Sequence, residues 1–126
     1  MYSCADSYLS LYSPAKEWYQ SYVIEHITPS SFYATIGSTP ALILFYASWC
    51  FHCKQFMPTF QEAADALDGA TVKFFKADCE MYKSYIEQFG LEGFPTVLLF
   101  VNKQHVEYKG ARTVEALTTW LNKYIN

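Results

Sequence analysis

The sequence predicts an α/β domain, a mixed central sheet flanked by helices on both faces. Apolar stretches of strand length alternate with stretches of helical period, in the order strand, helix, strand, helix, strand, helix, strand, strand, helix. One strand candidate, Ala41–Ala47, is apolar throughout, as central strands are when helices cover both sides. The length of 126 residues suits one core and is too short for two.

Residues 1–20, rich in Tyr and Ser, read as an N-terminal extension with a short helix over Pro14–Gln20, and residues 21–126 as the domain. Tyr22–His26 is the first strand. Thr28-Pro29 starts a helix, with Thr as N-cap and Pro at the first helical position. Gly37–Pro40 breaks it before the Ala41–Ala47 strand. From Lys54 to Leu67, Phe56, Phe60, Ala64 and Leu67 recur on one helical face, and the internal Pro58 predicts a kink. Asp68-Gly69 ends that helix. Thr71–Ala77 is a strand, Glu80–Phe89 a helix and Gly90 its stop. Pro95 precedes the strand Thr96–Val101, which the Asn102-Lys103 turn joins to Gln104–Tyr108 as a hairpin. A last helix from about Thr113 is expected to bury Val114, Leu117, Leu121 and Tyr124.

Composition narrows the function. Apolar residues make up 52% of the chain and aromatic ones 19%, which argues against intrinsic disorder. Nine basic against twelve acidic residues, without a block of like charge, point to no nucleic-acid or anionic-membrane partner. The longest apolar run is far too short to span a bilayer. No basic, apolar, small-residue pattern opens the sequence, so no secretory signal is expected in it, and it closes without a K-D-E-L-type retention signal.

Chemistry concentrates in Trp49-Cys50-Phe51-His52-Cys53-Lys54. Two thiols separated by two residues can close a reversible disulfide, and this pair falls where a buried strand ends and a helix begins. Free helix N–H groups and the helix dipole stabilise a thiolate there. Cys50, nearest the helix start, is expected to be the exposed nucleophile of low pKa, and Cys53, one turn later, the less exposed resolving thiol. His52 can hydrogen-bond or bring positive charge to the Cys50 thiolate. Stabilising the reduced form in this way makes the disulfide a stronger oxidant. Cys79 reads as a small core hydrophobe, and Cys4 as a free thiol or one that pairs outside the domain. Four cysteines are too few for a disulfide-stapled scaffold, and one C-x-x-C pair is too few for a zinc site.

Four segments resemble the thioredoxin-fold catalytic domain of the protein disulfide isomerase family, over roughly residues 22–125. Phe45-Tyr46-Ala47-Ser48-Trp49-Cys50-Phe51-His52-Cys53-Lys54 is similar to the family's F-Y-A-P-W-C-G-H-C-K, and Pro58 to the proline of its active-site helix. Gly93-Phe94-Pro95-Thr96 resembles G-Y/F-P-T, and Tyr108-Lys109-Gly110-Ala111-Arg112 resembles Y-x-G-x-R. The resemblance implies a thioredoxin-like fold and a cis Pro95 facing the disulfide, offering backbone to a substrate as an added strand. It implies an apolar rim of Trp49 and Phe94 around Cys50, and a mobile Arg112 that approaches Cys53 and lowers its pKa.

Three positions depart from the family. Leu44 stands where a buried Glu or Asp usually exchanges a proton with Cys53, so steps needing that proton are expected to slow. Phe51 replaces glycine and adds an exposed aromatic, which favours apolar substrate segments or restricts access. Ser48 replaces proline.

The reading that results is a thiol–disulfide oxidoreductase that forms, reduces or rearranges disulfides in cysteine-containing protein substrates with a redox donor or acceptor. It requires no cofactor or metal, and by resemblance it belongs in the endoplasmic reticulum lumen or secretory pathway. The alternatives are a client-binding thioredoxin-like module with weak redox activity, which Leu44 and Phe51 favour, and a cytosolic thioredoxin-like reductase, against which His52 counts.

Overall fold

The computed structural model describes residues 24–37, 39–67 and 70–125. The N-terminal extension, its Pro14–Gln20 helix, Cys4, the first two residues of the expected Tyr22–His26 strand and the Asp68-Gly69 stop lie outside them.

A five-stranded mixed sheet forms the centre. Its strands are β1 (Ile24–His26), β2 (Ala41–Tyr46), β3 (Lys73–Asp78), β4 (Thr96–Val101) and β5 (Gln104–Glu107), in spatial order β1-β3-β2-β4-β5. β1 and β2 both run parallel to β3, while β4 runs antiparallel to β2 and β5. β2 is central, and every one of its residues is buried, as its unbroken apolar sequence requires.

Helices cover both faces. On one lie α2 (Phe51–Ala66) and α4 (Val114–Ile125), whose Phe56, Met57, Phe60, Leu117 and Leu121 pack with Leu42, Leu44 and Tyr46 of β2. On the other lie α1 (Phe32–Ile36) and α3 (Ser84–Phe89), whose Phe32, Ile36 and Tyr85 meet Ile43 and Phe45. The alternation of β2 side chains thus divides the core into two layers.

Element boundaries differ from the sequence expectation for local reasons. Thr28-Pro29 begins a 3-10 turn, Pro29–Ser31, which leads into α1. α2 starts three residues before Lys54, because Cys50 caps it, and continues through Pro58. α3 starts at Ser84 instead of Glu80: the Asp78 carboxylate accepts the N–H groups of Glu80 and Met81 at 2.9 and 3.0 Å and holds them in a turn. Gly90 ends α3 at φ 62°, a left-handed conformation that glycine adopts readily. Asn102 and Lys103 turn the β4–β5 hairpin with φ of 55° and 66°. Tyr124, expected to be buried, is 40% exposed. The stripe of α4 passes from Leu121 to the half-buried Ile125, and Tyr124 lies against Trp120 with ring centroids 5.1 Å apart.

Candidate active site

The site forms where β2 ends and α2 begins. The backbone turns after Tyr46, with the Cys50 N–H donating to the Ala47 carbonyl at 3.1 Å. Cys50 is the N-cap of α2 in extended conformation, and its Sγ accepts the Cys53 N–H at 3.3 Å. The sulfur therefore occupies the place where a capping oxygen normally satisfies an unpaired helix donor. Any negative charge on it meets the positive end of a 16-residue helix. Cys50 and Cys53 are both free thiols.

Cys50 is more enclosed than the sequence suggested, at 7% exposed. Its thiol folds beneath the loop before β4 and donates to the Phe94 carbonyl at 3.6 Å, so the nucleophile candidate sits in a recess. Cys53 is deeper, at 1%. Burial pushes its thiol up to about 12, and the hydrogen bond with Cys50 acts in the same direction. The Ala47 backbone contact and the Arg112 charge act in the opposite one.

The Phe94–Pro95 bond is cis, and the Phe94 carbonyl faces the Cys50 thiol. Thr96 secures this loop by donating its hydroxyl to the Gly93 carbonyl at 2.6 Å. Trp49, exposed, meets the half-buried Phe94 edge-on with ring centroids 6.1 Å apart. Phe51 is exposed beside Cys50, and its ring meets the imidazole of the exposed His52 at 6.0 Å. Arg112 follows a tight corner. The Tyr108 hydroxyl donates to the Ala111 carbonyl, and the Tyr108 ring covers Gly110 so closely that a Cβ there would lie 2.8 Å from its oxygen. The corner brings the Arg112 guanidinium within electrostatic reach of Cys53.

Three features of the surrounding structure went unread in the sequence. Ser48 donates its hydroxyl to the Glu80 carboxylate, which ties the active-site turn to the loop after β3 and gives the serine a structural role. Met81, next to Glu80, is an exposed apolar side chain on that loop. Lys76 is 1% exposed, and burial lowers its ammonium to about 8. A lysine two residues after Phe74, on the buried alternation of an apolar strand, was the available signal. Cys79 is buried as expected, and its thiol is pushed up to about 12, chiefly by burial. No helix among the described residues is long and apolar enough to cross a membrane.

Comparison with known proteins agrees with this geometry. The thioredoxin family model matches residues 23–123. The chain is 38% identical over 106 residues to protein disulfide isomerase-like 5-2 of Oryza sativa subsp. japonica, covering 82% of this chain and 25% of that protein. It is 36% identical over 100 residues to protein disulfide-isomerase 1 of Caenorhabditis elegans, covering 77% and 21%. The chain thus spans about a quarter or less of these relatives. Among solved structures, the first thioredoxin domain of mouse protein disulfide-isomerase A4 superposes with a TM-score of 0.73 at 27% identity, covering 80% of this chain and 74% of that one. Human ERp44 form II superposes with a TM-score of 0.75 at 26% identity, covering 82% and 30%. The chain belongs to the thioredoxin family, as a thioredoxin-fold domain of the protein disulfide isomerase kind.

Proposed function

We propose that this domain exchanges disulfides with cysteine-containing proteins in an oxidising secretory compartment, the endoplasmic reticulum lumen, as a protein disulfide isomerase-like oxidoreductase. The observation that carries the reading is the Cys50 sulfur at the N-cap of α2, accepting the Cys53 N–H. It is the one place in the site where a thiolate gains a donor and a helix dipole together.

The chemistry follows from that placement. The Cys50 thiolate attacks one sulfur of a client disulfide. A bond forms between Cys50 and that sulfur, the client S–S bond breaks, and the electron pair leaves on the second client sulfur. Cys53 then loses its proton and attacks the Cys50 Sγ, which frees the reduced client and leaves a Cys50–Cys53 disulfide. The reverse sequence oxidises a client dithiol, with the domain reoxidised by its redox partner. Isomerisation uses the first attack and its return by a different client thiol. Trp49, Phe51 and Phe94 hold apolar client residues beside the reacting sulfur, and Pro95 presents the loop backbone to the client. His52 adds positive charge next to Cys50 when protonated. Arg112 favours the Cys53 thiolate.

Alkylation of the reduced domain at mildly acidic pH tests the assignment. Cys50 should be labelled well before Cys53, and the domain should reduce insulin and refold a scrambled protein. Faster labelling of Cys53 overturns the roles. Binding of unfolded clients without turnover identifies a client-binding module instead.

A further inference from the structure

Loops at one end of the sheet frame the Cys50 turn on two sides. β2 and β3 are parallel, and Tyr46 pairs with Asp78 where both strands end. β4 runs antiparallel to β2 and starts at that same end, with Thr96 paired to Phe45. The strand order β3-β2-β4 therefore sets the turn after β2 between the loop before β4, which carries Phe94, and the loop after β3, which carries Met81. The Phe94 carbonyl meets the Cys50 thiol directly. No step of the exchange uses the Met81 loop.

That loop is held by hydrogen bonds along its length. The Cys79 N–H donates to the Tyr46 carbonyl at 2.9 Å, and the Tyr82 N–H to the Asp78 carbonyl at 3.0 Å. The Asp78 carboxylate accepts the N–H groups of Glu80 and Met81. The Ser48 hydroxyl donates to the Glu80 carboxylate and so joins the loop to the active-site turn itself. A backbone fixed in this way has little freedom left to lose when another chain covers it. The Met81 side chain nonetheless stands in solvent, 68% exposed, the same as Trp49. Among the described residues five large apolar side chains are exposed. Three of them, Trp49, Phe51 and Met81, lie on the two segments that the Ser48–Glu80 bond joins. Single apolar side chains on a surface are ordinary, but a group of them beside a reactive thiol marks a place where apolar surface is covered during the reaction.

We propose that Met81 is a specificity-determining residue, which takes up an apolar side chain of an extended client on the flank of Cys50 opposite Phe94. The role rests on the dithiol exchange reading above. The occupant follows from continuity with the site of exchange, because whatever covers Met81 lies against the turn that holds Cys50, and a client in mixed disulfide with Cys50 is already there. Neighbouring strands lie about 4.8 Å apart and an extended chain advances about 3.3 Å per residue, so a segment leaving Cys50 toward β3 reaches that flank about two or three residues from its cysteine. Methionine suits a site of this kind. Its unbranched chain and polarisable sulfur pack against aliphatic and aromatic partners alike, so Met81 selects apolar residues as a class. The covalent steps are those of the exchange itself, and Met81 neither gives nor takes a proton or an electron in them.

The test measures how fast the reduced chain captures peptides on Cys50. Each peptide carries one cysteine, disulfide-bonded to glutathione, and a single leucine moved stepwise along an otherwise Gly/Ser sequence on either side of it. A leucine-free peptide and oxidised glutathione serve as references. In the native chain, the capture rate relative to the leucine-free peptide should peak with the leucine about two or three residues from the cysteine on one side. Met81→Ser should lower that peak ratio about fivefold, the effect of roughly half burying one apolar side chain, and Met81→Leu should restore it. A native chain without a leucine preference, or a peak ratio unchanged in Met81→Ser, overturns the role of Met81. Either result, with oxidised glutathione still captured, leaves the exchange reading standing. Failure of the native chain to capture oxidised glutathione or any of the peptides overturns the exchange reading itself and the role of Met81 with it.

Discussion

Leu44 and Lys76 are neighbours across β2 and β3, and their pairing makes the site chemically unusual. Leu44 lies in the same buried layer as the resolving thiol, and Lys76 is its neighbour on β3. A carboxylate at position 44 would bring a proton acceptor into the buried layer that holds Cys53. Leu44→Glu should therefore raise the rate of mixed-disulfide release by about tenfold at pH 7. It should also raise the pKa of Lys76, because an opposite charge favours the ammonium. Single-turnover release kinetics and a titration of the lysine amine check both. An unchanged release rate in the folded variant means that proton transfer at Cys53 does not limit the step. The variant should be less stable than the native chain, since a carboxylate replaces a fully buried leucine.

At the scale of elements, α3 is held less by its own six residues than by what it touches. The Tyr85 hydroxyl donates to the Ile27 carbonyl at 2.9 Å, joining α3 to the end of β1, while the ring packs against Phe32 and Phe45. Tyr85→Phe keeps the packing and leaves a buried carbonyl without that donor. It should cost about 1–2 kcal/mol in urea unfolding with the m-value unchanged, and a loss near zero would show that water replaces the hydroxyl. The sequence revealed this element through its Gly90 stop but misplaced its start. The Asp78 turn that delays it is made by a side chain reaching forward two and three residues, and helical periodicity carries no trace of that. β2, β4 and the hairpin turn at Asn102-Lys103 were legible because apolar runs and turn residues act locally. The C-x-x-C pair was legible from its spacing at a strand end, and the cis Phe94–Pro95 bond from the resemblance of Gly93-Phe94-Pro95-Thr96 to a family motif. The Ser48–Glu80 tie and the enclosure of Cys50 depend on contacts between distant segments, and no short motif encodes them.

The whole molecule carries its buried titratable groups as a pH signature. Lys76 is near 8 in the folded chain against 10.5 when unperturbed, so between these values the unfolded chain binds more protons and stability rises with pH. Cys53 and Cys79 are pushed from 9.0 up to about 12, so above pH 9 the folded chain binds more protons and stability falls. Stability should increase from pH 8 to about 9 and decline beyond it, as followed by chemical denaturation across this range. Lys76→Met should lack the rise. It should also be more stable at pH 7, by up to about 3 kcal/mol, since it no longer buries an ammonium. The central claim is the proposal that a thiolate at the N-cap of α2 is stabilised enough to make the domain an oxidant or isomerase instead of a reductase. The reduction potential of the Cys50–Cys53 pair, measured against glutathione, tests it most directly. The account predicts a value near the roughly −180 mV of a disulfide isomerase, and a value near the roughly −270 mV of a thioredoxin would contradict it.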